Sequence, residues 1–191
     1  MARRSDHSRQ ELTELALDKS LEIIDEKGLS GFSARAVAER MGYTVGTLYN
    51  VFGSYDGLIF RVNARILDAW HAALAAGLHK TKKDKMRYLA YAYLDFAGRH
   101  YNRWTTLFEF HAKSSPPDWY RDRIDRHFRL IEETLLARTQ DPHQNRRRAK
   151  VLWASIHGIC ILALGGKLDV VGSDSAKTLI DDLLENYLGA A

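Results

Sequence analysis

Residues 32–52, FSARAVAERMGYTVGTLYNVF, leave few folds open. Ser33 offers a hydroxyl to an orphan amide at a helix start. Ala36, Val37 and Met41 then recur at helical spacing as an apolar stripe. Gly42, a residue type free to take positive φ, stops that helix. Thr44 caps a second helix running over roughly Val45–Val51. Helix, short glycine-containing turn, helix is the helix-turn-helix pattern, whose second helix enters the DNA major groove. Leu48 and Phe52 are four apart and face the core, flanked by Val45 or Val51. Thr44, Gly46, Thr47, Tyr49 and Asn50 are left for the DNA side, with Val45 at the same helix start completing the set. Gly46 lets the backbone approach the duplex. Thr47 can donate to a base edge or lay its methyl on a thymine methyl, and Asn50 suits adenine. Tyr43, Thr44 and Tyr49 fit phosphate contacts that set register, as do Ser33 and Arg35 on the preceding helix.

The flanking chain is helical throughout. Ser8–Lys27 carries a broad apolar face (Leu12, Leu15, Ala16, Leu17, Leu21, Ile23, Ile24) and reads as the scaffold behind the motif. Ser54 caps a long helix over Tyr55–Leu78, which leaves the first domain and enters the second. Further helices are expected over 84–100, from an Asn102 cap to Lys113, over 118–137, over 142–168 and over 173–188. The fold class is therefore all-α. An N-terminal three-helix helix-turn-helix domain, residues 1–54, is joined to a C-terminal helical bundle, residues 55–191, that dimerises. Dimerisation is expected because VLWASIHGICILALGG is apolar nearly all round and must be buried on both sides. Its small residues Ala154, Ser155, Gly158, Ala163, Gly165 and Gly166 let a second copy approach closely. The last two helices and their symmetry mates would make a four-helix interface of a homodimer.

Gly28, Ser33, Arg35, Ala38, Gly42, Thr44, Gly46, Thr47, Leu48, Tyr49 and Phe52, followed by a short turn and a long helix, resemble the DNA-binding domain of TetR-type transcriptional regulators. The match covers roughly residues 10–60, and G-T-L-Y-x-x-F is its most specific run. Where that family commonly carries a phosphate-binding lysine, this chain has Tyr55, a hydroxyl in place of a charge. Trp153-Ala-Ser-Ile-His157-Gly158 is similar to the Trp…His-Gly signature of one C-terminal domain class among these regulators. The resemblance implies a transcriptional regulator, in the usual case a repressor, that binds double-stranded DNA at a near-palindromic operator. It also implies a small-molecule effector held in the C-terminal bundle.

Charge does not by itself point to DNA. Residues 1–56 hold seven Lys/Arg and nine Asp/Glu, a net of −2 inside a chain of net +4. DNA binding must then rest on positioned groups: Arg3 and Arg4 as a minor-groove arm or a solvated tail, Arg9, Arg35, Arg40 and helix N-termini. The acids of the first helix must face away from the duplex. The 191 residues are 46% hydrophobic and 27% charged, as in a globular protein with a real core. The start lacks the apolar region of a signal peptide, and the longest apolar run, Gly158–Gly166, is too short to span a membrane. Lone Cys160 fits a reducing compartment, so a cytoplasmic location is expected. The eight His show neither an i,i+4 pair nor a Cys partner at ligand spacing. No metal, cofactor or catalytic residue is expected, and the chain does not read as an enzyme.

Aromatic residues are dense from Tyr88 to Trp153, mostly as core. Collectively they suit an apolar pocket with a few polar anchors for a lipophilic or aromatic ligand. Trp104, Phe108, His111, Phe128, Trp153 and His157 are the candidate lining, with His111 and His157 as anchors. Two alternatives stay open at this point. One is a DNA-binding regulator insensitive to ligands. The other is a helical-bundle carrier or enzyme with a vestigial DNA domain.

Overall fold

The computed structural model describes residues 7–135, 141–170 and 172–189. Arg3 and Arg4, and the expected helix end at Leu136 and Ala137, lie outside the described residues. Among the described residues the α-helices are α1 (Arg9–Lys27), α2 (Ala34–Met41), α3 (Val45–Phe52), α4 (Tyr55–Lys80), α5 (Lys85–Arg99), α6 (Tyr101–Glu109), α7 (Asp118–Leu135), α8 (Pro142–Leu164) and α9 (Ala176–Leu188). They form two compact units. One holds the chain through Asp68 together with His100–Arg121, and the other holds Ala69–Arg99 and the chain from Asp122 onward.

The first unit is built on α1. Ser8 caps it with a reciprocal bond: the Glu11 amide donates to Ser8 Oγ at 3.3 Å, and the Ser8 amide donates to Glu11 Oε2 at 2.6 Å. Ala16, Leu17, Ile23 and Ile24 are buried, and α1 packs on α2, α3 and α6. The membership of α6 has a definite cause. Trp104 is buried, and Arg103 Nε and Nη2 each donate to the Asp25 carboxylate of α1 at 2.6 Å. Asn102, expected as the helix cap, instead donates from Nδ2 to the Asp25 carbonyl at 2.9 Å; His100 takes the cap position without a side-chain bond.

Helix α6 ends at Glu109, short of the expected Lys113, because the next residues are drawn to α4. The Lys113 and Ser114 amides donate to Asp56 Oδ2 at 2.8 Å each, and the Ser114 hydroxyl donates at 2.9 Å. Asp56 is buried in the first turn of α4, beside the Ser54 cap, whose Oγ accepts the Gly57 amide at 3.0 Å. A ladder of rings reinforces the same region: Phe32 on Tyr55, Tyr55 on Phe110, Phe110 on Phe60, Phe60 on Tyr120 and Tyr120 on Trp119, with Arg61 over the Trp119 ring at 4.2 Å.

In the second unit α8 packs on α5 and α9. Its buried residues Ala149, Leu152, Ile156 and Cys160 fall three or four apart, on one face only. Burial pushes the Cys160 thiol up to about 12. Helix α5 contributes Met86, Leu89, Ala90, Tyr93 and Ala97, and α9 contributes Ile180 and Leu184. The Tyr91 hydroxyl donates to the Asp181 carboxylate at 2.8 Å, and Arg87 Nε pairs with Asp181 at 2.9 Å. Arg146 ties α8 to α7 through Asp125 and, at 2.6 Å, Glu132. Helix α8 stops at Leu164, not at 168 as expected: Gly166 takes φ +63° and a 3-10 turn follows over Leu168–Val170.

Asp56 gives a pH-dependent test. Burial pushes its carboxyl up, but the bonds from Ser114 and Lys113 outweigh that and hold it below the usual carboxylate range. A depressed folded-state pKa stabilises the fold above the unfolded value of about 3.9, and that stability is lost as pH falls through the folded value. Asp56→Asn should therefore melt below the parent at pH 7. The gap should close progressively below about pH 4. Thermal melts by circular dichroism across pH 3–7 read this directly.

Candidate nucleic-acid interface and ligand pocket

Two capped helices make the motif. Ser33 Oγ accepts the Ala36 amide at 3.1 Å and starts α2, whose Ala34, Val37 and Ala38 are buried. Gly42 takes φ +74° at the helix end, and the Tyr43 amide donates to the Ala38 carbonyl at 2.9 Å, closing the turn. Thr44 Oγ1 then accepts the Thr47 amide at 3.3 Å and starts α3. Leu48 pins α3 from behind at 1% exposure, and Phe52 is half-buried.

The opposite face of α3 is open. Thr44, Gly46, Tyr49 and Asn50 are exposed, Tyr49 at 43%. Val45, Thr47 and Tyr43 are half-buried. The Thr47 hydroxyl lies 3.1 Å from that of Thr44. A Cβ at Gly46 would meet only Thr44 Oγ1 at 3.6 Å, an ordinary contact, so nothing inside the protein demands glycine there. Ser33 and Arg35 are exposed at the start of α2, Arg35 in a surface pair with Glu39 at 2.9 Å. Such an exposed pair is weakly held, and a phosphate oxygen can take the place of the carboxylate.

Three groups behave differently from their sequence reading. Arg40 does not stand free beside Arg35: Nη1 and Nη2 donate to the Glu26 carboxylate of α1 at 2.7 and 2.8 Å. Arg9 Nη2 donates to the Val51 carbonyl in the last turn of α3, at 3.2 Å, where a cation favours the helix end. Tyr55 turns its ring between Phe32 and Phe110. Its hydroxyl lies 3.5 Å from the Phe32 carbonyl, and burial raises its pKa. His7 was missed: its Nδ1 lies 2.6 Å from the Tyr43 hydroxyl. A contact across 36 residues between two polar surface groups leaves no signal in spacing or periodicity.

The acids of α1 are occupied rather than free. Glu14 and Asp18 pair with Arg65, Glu26 with Arg40, and Asp25 with Arg103. The net negative composition of this segment is thus largely cancelled by arginines from α2, α4 and α6.

The six candidate pocket residues divide between the units. Trp104, Phe108 and His111 belong to the first. Trp104 is a core residue with Phe108 on it edge-on at 5.7 Å, and exposed His111 folds its Nδ1 onto the Glu109 carbonyl at 2.8 Å. Phe128, Trp153 and His157 come together in the second. Trp153 meets Phe128 edge-on at 5.7 Å and stacks on His157 at 5.6 Å. Tyr93 of α5 places its hydroxyl 2.6 Å from His157 Nδ1. Burial lowers the His157 pKa and favours the neutral ring. Beside this group a cavity of about 40 Å³ is lined by Met86, Leu89, Ala90, Tyr93, Ile131, Leu152, Trp153 and Ile156. No helix among the described residues is long and apolar enough to cross a membrane.

Comparison with known proteins gives a consistent picture. The profile for bacterial regulatory proteins of the tetR family matches residues 16–62, and that for the tetracyclin repressor-like C-terminal domain matches residues 86–187. An uncharacterized HTH-type transcriptional regulator of Mycobacterium tuberculosis is 24% identical over 179 residues, covering 93% of this chain and 80% of that protein. A solved protein of unknown function from Rhodococcus sp. RHA1 superposes with a TM-score of 0.76 at 18% identity, over 98% of this chain and 97% of its own. The multidrug binding protein EbrR, solved with imidazole, has a TM-score of 0.66 at 21% identity, over 97% of this chain and 98% of its own.

The cap at Thr44 carries a stability prediction of its own. Thr44→Ala should cost about 1 kcal/mol in urea unfolding, while Thr44→Ser, which keeps the acceptor and caps at least as well, should leave unfolding unchanged or slightly stabilised. A loss confined to DNA affinity, with unchanged unfolding, would contradict the capping role.

Proposed function

The chain belongs to the TetR family of bacterial DNA-binding transcriptional regulators, and on that premise we propose that it is a homodimeric repressor released from its operator by a small lipophilic or aromatic ligand. Residues 1–54 would read DNA, and residues 55–191 would sense and dimerise. The observation that carries the DNA half is the open face of α3, where Gly46 has no internal reason to be glycine. A duplex approaching closely supplies one. In this reading Gly46, Thr47, Asn50 and Val45 meet base edges, while Ser33, Arg35, Tyr43, Thr44 and Tyr49 hold phosphates. Tyr55 serves this set through its ring, which supports the turn before α2, more than through its hydroxyl.

The second copy is argued from α8. Away from its buried face lie Val151, Ile161 and Leu162, with Ile161 49% and Leu162 44% exposed. Gly158 has nothing within 4 Å of where a Cβ would stand. An apolar, small-residue stripe of this kind is covered in solution, and a symmetry mate of α8 and α9 fits it. Two recognition helices would then meet half-sites about 34–36 Å apart, or a multiple of that, on a near-palindromic operator.

Release needs a ligand that prefers the state unable to bind DNA. A preference of about 100-fold corresponds to ~2.7 kcal/mol of coupling. Phe128, Trp153 and His157 are the site for it, and EbrR is a neighbour of the same fold that holds a small molecule. The modest cavity volume favours one rival, a regulator of the same family that ignores small molecules.

A gel-shift titration against the chain's own upstream region, at two salt concentrations, tests the reading. A discrete, competitor-resistant complex of dimer stoichiometry is expected, weakening steeply with salt. Tyr49→Phe should weaken all DNA about equally, whereas Thr47→Ala should change sequence preference. Ile161→Asp should yield a folded monomer by light scattering and remove the discrete complex. A dimeric Ile161→Asp protein would place the interface elsewhere.

A further inference from the structure

The cavity of the second unit is selective by chemistry as well as by size. Its lining is Met86, Leu89, Ala90, Ile131, Leu152 and Ile156 together with the rings of Tyr93 and Trp153, and none of these side chains carries a charge at neutral pH. A guanidinium is nearby: Arg146 lies over the Phe128 ring at 4.8 Å. It is already committed to Asp125 and Glu132, two carboxylates against one cation. An anionic ligand head would therefore meet a wall that carries no counter-charge, with the Arg146 guanidinium engaged elsewhere, and would lose its hydration without replacement.

One polar feature at the cavity is the Tyr93 hydroxyl on His157 Nδ1, at 2.6 Å. A phenol is a donor and an acceptor, and a neutral imidazole offers one lone pair and one N–H. The neutral ring is the form burial favours. With the His157 proton on Nε2, the Tyr93 hydroxyl donates to Nδ1, and a group that is both donor and acceptor can insert into this bond, accepting from the hydroxyl and donating to Nδ1. Against that tautomer a carboxylate only accepts and cannot complete the second half.

Size points to the moving part. About 40 Å³ holds a few waters, whereas a benzene-sized guest needs about 150 Å³. Trp153 both lines the cavity and stacks on His157, so expansion toward the polar pair displaces its indole.

Resting on the ligand-responsive reading above, we propose that this site takes an uncharged, largely apolar molecule bearing one amide- or hydroxyl-type group, which inserts between Tyr93 and His157 as Trp153 swings aside, and that it excludes carboxylates of the same shape.

The isosteric pair 4-butylbenzamide and 4-butylbenzoate isolates charge and donor capacity from shape. Calorimetric titration of each into the full-length protein at pH 7.5 should show the amide binding at least tenfold more tightly. Tyr93→Phe keeps the ring and removes the hydroxyl; it should weaken the amide at least fivefold and leave the benzoate unchanged, with a melting curve confirming the fold. Equal or tighter binding of benzoate overturns the charge selection. Loss of neither ligand in Tyr93→Phe overturns the insertion. No heat from either probe at 1 mM overturns the cavity as a guest site. The operator gel shift, run on the same samples without probe, reports separately on the regulator reading, and addition of the amide to the operator complex reports on release.

Discussion

The bidentate bond between Arg103 and Asp25 decides what the first unit contains. Without it, α6 is a short helix of nine residues with an uncapped start, far below the length at which a helix is stable alone. With it, and with Trp104 buried at its centre, α6 becomes a third wall against α1. The same helix α1 receives Arg40 on Glu26 and Arg65 on Glu14 and Asp18. A strip of acids that looks adverse in a DNA-binding segment is thus the attachment surface for α2, α4 and α6. Individually such exposed pairs contribute little. Their effect here is positional: each arginine brings in a helix whose apolar face then packs.

Much of this was legible in the sequence and some of it was not, for physical reasons that differ by residue. Caps and glycine stops are local, so Ser33, Gly42 and Thr44 declared α2 and α3 almost to the residue. Apolar spacing declared the buried face of α1, whereas α8, apolar nearly all round in sequence, buries one face within its own unit. The end of α6 was misjudged because Asp56, more than fifty residues away, competes for the amides of Lys113 and Ser114, and no local pattern carries that. Asn102 read as a cap because its type favours caps, and tertiary contact with the Asp25 carbonyl overrode the preference. Arg40 read as a DNA contact for lack of any view of Glu26.

The six ring and imidazole candidates for the pocket show the same limit. Composition located a zone rich in rings, but it does not show that α6 packs on α1, which places Trp104, Phe108 and His111 in the first unit and leaves Phe128, Trp153 and His157 in the second. The pair of Tyr93 and His157 spans 64 positions and was invisible to spacing. What the sequence did carry was the Trp153…His157 interval of four, which puts both rings on one face of α8 and lets them stack.

The interleaving of the two units along the chain has a consequence for biosynthesis. The first unit is complete only when residues as late as Arg121 are available, although its helix-turn-helix is finished by Phe52. During translation the nascent helices α1 to α3 therefore wait, with the Asp25 carboxylate and the pocket for Trp104 uncovered, while α5 and part of the other unit emerge first. A fragment cut within α4 would keep every base-reading side chain and lose the wall that holds α1 in place. The DNA-reading surface is local in sequence; its rigidity is not.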